Sequence, residues 1–339
     1  MVFVNFKVAM GATTGSEWLI KSITMIEGRA AALFVVLAGV GISLMTRRAR
    51  AANSSDLLRQ QRNIILKRGF LLIIVGLAYS PIWPADILHF YGFYFLIAAF
   101  LFASNNRNLL FIAISFVVGF VVLLMLFDYE AGWNWETLDY LDFWTIEGMF
   151  RHIFFNGFHP VFPWFAFLLV GLYLGRLNFR EQSIRRRVMI FSFALWAIVE
   201  VISKVFQRLL LENLPADIRP EEVGFLFGTG VIPPMPQYII AAASLAVFII
   251  TASVSITQKH KENLIFTALY RTGKLALTLY LAHVLLGMGI LEGIGRLDNQ
   301  SIDFAVTSAL VFCFSAIVFS YFWLKYFTVG PFEKLFRSL

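Results

Sequence analysis

The sequence predicts an all-α fold: a polytopic transmembrane helix bundle of about ten spans, the first of them cut short. Three observations predict it. Apolar runs of near-span length follow one another along the chain, charge is scarce, and the basic residues fall in alternate loops. Of 339 residues, 59% are hydrophobic and 14% charged, whereas a soluble globular chain carries about 25% charged residues. So few polar residues cannot make a water-facing skin around a core, and lipid must cover the rest.

A helix needs roughly 20 apolar residues to cross about 30 Å of hydrocarbon. Nine runs approach that length, at 30–46, 69–83, 88–104, 109–127, 161–175, 188–206, 235–256, 275–294 and 304–324. A tenth, VFVNFKVAMGA at 2–12, makes only about half a span at 1.5 Å per residue. No cleavable leader is expected, because no basic segment precedes an apolar core and a small-residue cleavage site. Glycines inside the spans, such as Gly39, Gly41, Gly171 and Gly175, fit close helix packing. The Pro233-Pro234-Met235-Pro236 run cannot stay helical and marks re-entry into the next span.

The alternating loops orient the bundle. Loops 47–68, 105–108, 176–187, 257–274 and 325–339 together carry 20 Lys and Arg, and the opposite set carries 6. The positive-inside rule places the first set in the cytoplasm, and the C-terminus with it. The basic cytoplasmic loops are then 47–68, 176–187 and 257–274. The outer loops 128–160 and 207–234 are rich in aromatic and acidic residues. Residues 1–339 read as a single integral membrane domain.

The formal charge of +7 does not indicate nucleic acid, because the cations sit in short loops between apolar spans. Cys313 is the single cysteine, which excludes an internal disulfide and a Cys-based metal site. No metal site is expected, as neither H-x-x-x-H nor a paired-carboxylate pattern occurs.

Ionisable residues at membrane depth are costly and stand as functional candidates. Glu200 and Lys204 are four apart on one helix and can pair, either as a structural ion pair or on a functional path. His283 sits mid-span, as a hydrogen-bonded packing residue or as a catalytic one. Asp86 and His89, in WPADILHFYG, are three apart. A carboxylate there can fix the imidazole tautomer and raise its basicity, as a general base requires; a helix-cap Asp beside an interfacial His explains the same letters. His152 and His159 face outside in RHIFFNGFHPVFPWF, where the spacing fits a ligand, a base or an interfacial anchor alike. Arg47, Arg48, Lys67, Arg68 and Arg107 belong to the basic loops, which serve topology and anionic lipid or hold the phosphates of a nucleotide-like cofactor.

EGRAAALFVVLAGVGISLM (27–45), ADILHFYGFYFLIAAFLF (85–102), NGFHPVFPWFAFLLVGLYLGRL (156–177), RTGKLALTLYLAHVLLGM (271–288) and GPFEKLF (330–336) occur in that order. As an ordered set they resemble the YeiB-like membrane proteins and their relatives, the heparan-α-glucosaminide N-acetyltransferase family. MVFVNF resembles the end of that family's first helix, which begins earlier with an Asp and an Arg-Gly pair. The chain is therefore expected to start inside this helix.

The resemblance implies a membrane acyltransferase. It would take an acetyl group from cytoplasmic acetyl-CoA and deliver it to an amine or hydroxyl of an extracytoplasmic sugar or glycan. The implied partners are membrane lipid, a CoA thioester and that acceptor, in a bacterial inner membrane, and a homodimer is compatible with it. In the heparan enzyme an Asn at the end of the first helix and a His in the following outer segment serve the reaction. Asn5 matches the Asn, but residues 13–29 contain no histidine. The base is then expected at His89, oriented by Asp86, or at His159, with the Asn5 amide on the developing oxyanion. Two other readings compete with this one. A small-solute transporter would use Glu200, Lys204 and His283 along its path, and a non-catalytic protein would organise envelope partners.

Overall fold

Backbone polar groups find no partner in hydrocarbon, so apolar spans must satisfy them internally as helices. A computed structural model of the chain describes residues 1–213, 219–260 and 263–337. Residues 214–218 of the expected outer loop 207–234, 261–262 of the expected basic loop 257–274, and 338–339 lie outside the described residues. Among those described, strand is confined to one hairpin, Trp133–Asn134 paired with Asp139–Tyr140.

Among the described residues, six helices are long and apolar enough to cross a membrane: Glu17–Met45, Asn106–Leu126, Gln182–Glu212, Pro236–Lys259, Ala276–Gly293 and Ile302–Tyr326. They make the chain an integral membrane protein. A pair bent by 49°, Ile146–Asn156 and Val161–Leu174, adds a seventh if taken as one span. The run expected at 88–104 forms the helix Leu88–Leu101, about 21 Å long at 1.5 Å per residue. The run expected at 69–83 is the apolar second half of a longer helix, Ser55–Tyr79. Arg59, Gln60, Gln61, Arg62, Lys67 and Arg68 are good helix formers, so the helix does not stop where the apolar run does.

Contacts gather the chain into two units, Met1–Ala30 with Val254–Leu339, and Ala31–Ser253. In the second, Val161–Leu174 is the central helix; Trp164, Phe165, Phe167, Leu168 and Leu172 are fully buried. It packs on Asn106–Leu126, where Phe162 stacks on Phe116 at 4.6 Å. Arg29–Met45 crosses it at Gly39 and Gly171, where a Cβ on Gly171 would stand 2.0 Å from the Val36 carbonyl. Ser55–Tyr79 packs on Leu88–Leu101. Arg176 closes one end, donating to the Phe102 carbonyl at 2.9 Å, the Ser104 carbonyl at 2.8 Å and Asn106 Oδ1 at 2.7 Å. Burial and the nearby Arg50 lower its pKa to about 10, leaving it cationic at neutral pH against carbonyls at a helix C-terminus.

In the first unit, Val2–Ala9 and Leu264–Gly273 both pack on Ile302–Tyr326. Ser16 ties this bundle together, its N–H and hydroxyl donating to Asp303 at 2.9 and 2.6 Å. Lys7 pairs with Glu27 at 2.6 Å. The GPFEKLF stretch has a capping task. Glu333 accepts from the backbone N–H groups of Leu277 and Thr278 at 2.7 and 2.9 Å, and from the Thr278 hydroxyl at 2.5 Å. These are orphan donors at the start of Ala276–Ala282, the helix leading into His283. Replacing Glu333 with Ala is expected to cost about 1–3 kcal/mol, read as a lower thermal midpoint of the detergent-solubilised protein. An unchanged midpoint would remove this role.

Candidate functional site

The turn into Leu88–Leu101 builds the first constellation. Asp86 and His89 are both fully buried. Asp86 Oδ2 accepts from the backbone N–H groups of Leu88 at 2.8 Å and His89 at 3.3 Å, and lies 3.2 Å from His89 Nδ1. Helix cap and histidine partner are thus one and the same carboxylate. The turn fits against its neighbour because residue 76 is glycine: a Cβ there would stand 2.3 Å from the His89 backbone nitrogen and 2.9 Å from Asp86 Oδ2.

Because a carboxylate only accepts, His89 Nδ1 carries the proton and Nε2 presents a lone pair. Among the described residues His89 Nε2 has no hydrogen-bond partner, and neither do His152 Nδ1, His159 Nδ1 or Trp164 Nε1. The His152 ring stacks near His89 with centroids 5.9 Å apart. His159 lies edge-on to Trp164 at 4.6 Å and to Phe90 at 5.8 Å. Phe90 and Phe143 both border His89 and His152. A buried group left unpaired costs about 1–3 kcal/mol, so several in one aromatic-walled place mark it for polar chemistry.

Asn156 holds this region. Its side chain accepts from the Tyr140 hydroxyl at 2.7 Å and donates to the Tyr129 and Ala131 carbonyls at 2.8 Å, while its carbonyl accepts from Trp133 Nε1 at 2.6 Å. Arg151 adds bonds to the Tyr140 hydroxyl at 2.8 Å and Asp142 at 2.5 Å. The hairpin is thereby pinned beside His152, 4.6 Å from the Tyr140 ring. The sequence offers His152 as ligand, base or interfacial anchor alike, and Asn156 is a residue that sequence reasoning missed. The available signal was the polar spacing in HIFFNGFH, two histidines and an asparagine in an otherwise apolar stretch.

The second constellation lies in the first unit. Asn5 Nδ2 stands 2.8 Å from His283 Nε2, and His283 Nδ1 contacts the Tyr280 carbonyl. The carbonyl only accepts, so Nδ1 is the protonated nitrogen and Asn5 donates to the Nε2 lone pair. Asn5, whose motif histidine is missing from 13–29, therefore has a histidine from the far end of the chain. His283 is buried, in a π-helical turn, His283–Met288. Asn5 and His283 belong to one unit, and Asp86, His89 and His159 to the other.

The remaining candidates are in the second unit. Arg47, Arg48, Lys67 and Arg107 are exposed and Arg68 is half-buried. Arg68 reaches Met45 Sδ at 3.3 Å, Arg50 reaches the Ser43 carbonyl at 2.8 Å, and Arg176 binds Asn106 beside Arg107. The basic residues thus gather at one end of the unit. Glu200 accepts from the Thr229 hydroxyl at 3.0 Å. Lys204 is exposed and borders a surface depression with Gln207, Arg208 and Glu212. No group of three or more His, Cys, Asp or Glu residues able to hold a metal ion is found among the described residues.

A family model described as "Heparan-alpha-glucosaminide N-acetyltransferase, catalytic" matches residues 1–205. The chain belongs to this family. Its matched portion contains Asn5 and the whole Asp86–His89–His152–His159 cluster. A second model, "Protein of unknown function (DUF418)", matches residues 232–339, which contain His283 and Glu333. The chain is similar to the Bacillus subtilis (strain 168) "Uncharacterized protein YxaH", with 23% identity covering 92% of this chain and 79% of that protein. No solved structure matches it. The family is membrane acyltransferase-like, as the ordered motifs implied.

Proposed function

We propose that this chain moves an acetyl group from acetyl-CoA to a hydroxyl or amine of an extracytoplasmic sugar or glycan. The observation that carries the reading is the buried Asp86–His89 pair, with Nδ1 held by the carboxylate at 3.2 Å and Nε2 unpaired among the described residues. Acetyl-CoA supplies the acyl group as a thioester. His89 Nε2 takes the acceptor's proton as the acceptor oxygen or nitrogen bonds to the acyl carbon. The carbon–sulfur bond breaks, and the imidazolium returns the proton to the departing thiolate. Asp86 keeps the ring in its tautomer and stabilises the cation formed in between. The exposed guanidinium and ammonium groups of Arg47, Arg48, Lys67 and Arg107, with half-buried Arg68, suit the phosphates of CoA.

A second reading places the base at His283. Asn5 stands beside it at 2.8 Å; the Nε2 lone pair becomes available as a base once the Asn5 amide turns its N–H from the ring to the oxyanion. Either reading goes with about ten membrane passages, basic loops and C-terminus in the cytoplasm, and a bacterial inner membrane.

The test is turnover by the purified full-length protein of acetyl-CoA labelled in its acetyl group. Thiol release should rise over time and increase when an amino sugar or polysaccharide is added, with label appearing in the acceptor. Folded protein that neither binds acetyl-CoA nor releases thiol with any acceptor would sink the proposal. Vesicle uptake of a small solute without CoA turnover would instead support a transporter.

A further inference from the structure

In the second unit, Asn106–Leu126, Val161–Leu174, Gln182–Glu212 and the first part of Pro236–Lys259, as far as Val247, line a cavity of about 850 Å³. Pockets of roughly 300–1,000 Å³ hold whole small molecules. The wall is almost wholly aliphatic and aromatic, and among the described residues Arg187 is the one charged side chain in it. Leu110 is near the start of its helix, Leu177 just past the end of its own, and Ile184 and Arg187 near the start of theirs. The charge therefore stands at one end. From Ile184 to Leu195 the apolar wall runs inward for about 16 Å at 1.5 Å per residue.

The cavity also opens sideways. Ile114, Val118, Phe191 and Ile240 line it and are exposed, and on membrane-spanning helices such faces meet hydrocarbon. Arg185, two residues earlier in the basic run, turns away, its guanidinium donating to the Phe179 and Arg180 carbonyls at 2.5 and 3.0 Å. Arg187 is exposed at the mouth.

We infer that this cavity seats an acyl chain of one anionic phospholipid, with the lipid phosphate on Arg187. The occupant must be long and apolar with an anion at one end only, and it must enter from the bilayer. Water does not suit so apolar a space. A guanidinium binds phosphate oxygens through charge-assisted, often bidentate, bonds. The site is separate from the Asp86–His89 cluster and does not depend on acyl transfer.

Native mass spectrometry of the full-length protein, with added phosphatidylglycerol or phosphatidylcholine, tests it. The wild-type chain should retain one phosphatidylglycerol with about tenfold preference over phosphatidylcholine. Arg187→Gln should bring that preference close to parity, whereas Arg186→Gln, outside the cavity lining, should keep it. Ala243→Trp, which fills the cavity, should reduce retention of both lipids. Equal retention by the wild type, an undiminished preference in Arg187→Gln, or an equal loss in Arg186→Gln would overturn the inference. Arg187 is exposed, so its substitution leaves the core intact and decides the matter even if Ala243→Trp fails to fold.

Discussion

Replacing His89 with Ala is expected to lower acyl transfer by about 10²–10⁴-fold, the range a positioned general base contributes. The measurement is the acceptor-dependent rate of thiol release, with acetyl-CoA binding followed separately. Binding should persist, since the basic residues stand at helix ends away from the imidazole in sequence. Asp86→Asn separates the two tasks of this carboxylate. The amide oxygen still accepts from the Leu88 N–H, now 2.8 Å from Asp86 Oδ2, so the helix start should survive. The negative charge that stabilises the His89 imidazolium is lost, and the rate should fall while the thermal midpoint moves little. Full activity in His89→Ala would defeat the dyad. If His283→Ala and Asn5→Ala are then the inactive variants, the base belongs to the pair at 2.8 Å in the first unit.

Gly171→Ala should destabilise the second unit by about 1–3 kcal/mol or more, the cost of overpacking a site that cannot yield. The added Cβ would stand 2.0 Å from the Val36 carbonyl oxygen and 2.9 Å from the Gly39 Cα. Both obstacles are backbone of the crossing helix, with no side chain to rotate away. Gly39 is the reciprocal case, 2.1 Å from the Leu168 carbonyl. Small residues let helices approach this closely within a bilayer, where packing rather than water exclusion holds helices together. Gly41 provides the contrast, since a Cβ there meets nothing within 4 Å. Gly41→Ala should be neutral or stabilising by about 0.5–1 kcal/mol, as glycine is the poorer helix former. Thermal unfolding in detergent compares the two, and equal midpoints would refute the crossing as the reason for Gly171.

The Asp86–His89 spacing could be read directly, because residues three apart at a helix start meet whatever surrounds them. So could the asparagine of MVFVNF, as part of a family pattern. Its partner could not. Asn5 and His283 are 278 positions apart, and nothing in either segment names the other. His283 presents itself in sequence only as an isolated mid-span histidine. His152 is similar: its stacking beside His89 depends on a hairpin held by Asn156 and Arg151, each bond formed across a loop. The glycines inside spans were legible as packing positions, but Gly171 and Gly41 look alike until the crossing helix is in place. Span lengths misled where charged residues continued a helix, as in Ser55–Tyr79, whose polar first half extends well before residue 69.

By itself the sequence determined the all-α membrane character, the order of the family's motifs and the carboxylate beside His89. Composition and short-range spacing govern these, and they act through covalent proximity and transfer into lipid. Only the tertiary structure decided which histidine Asn5 meets, which buried ring nitrogens stand unpaired, and which glycines are indispensable. Those outcomes depend on pairs brought together by helix packing, where contact is set by the shape of two surfaces and not by distance along the chain.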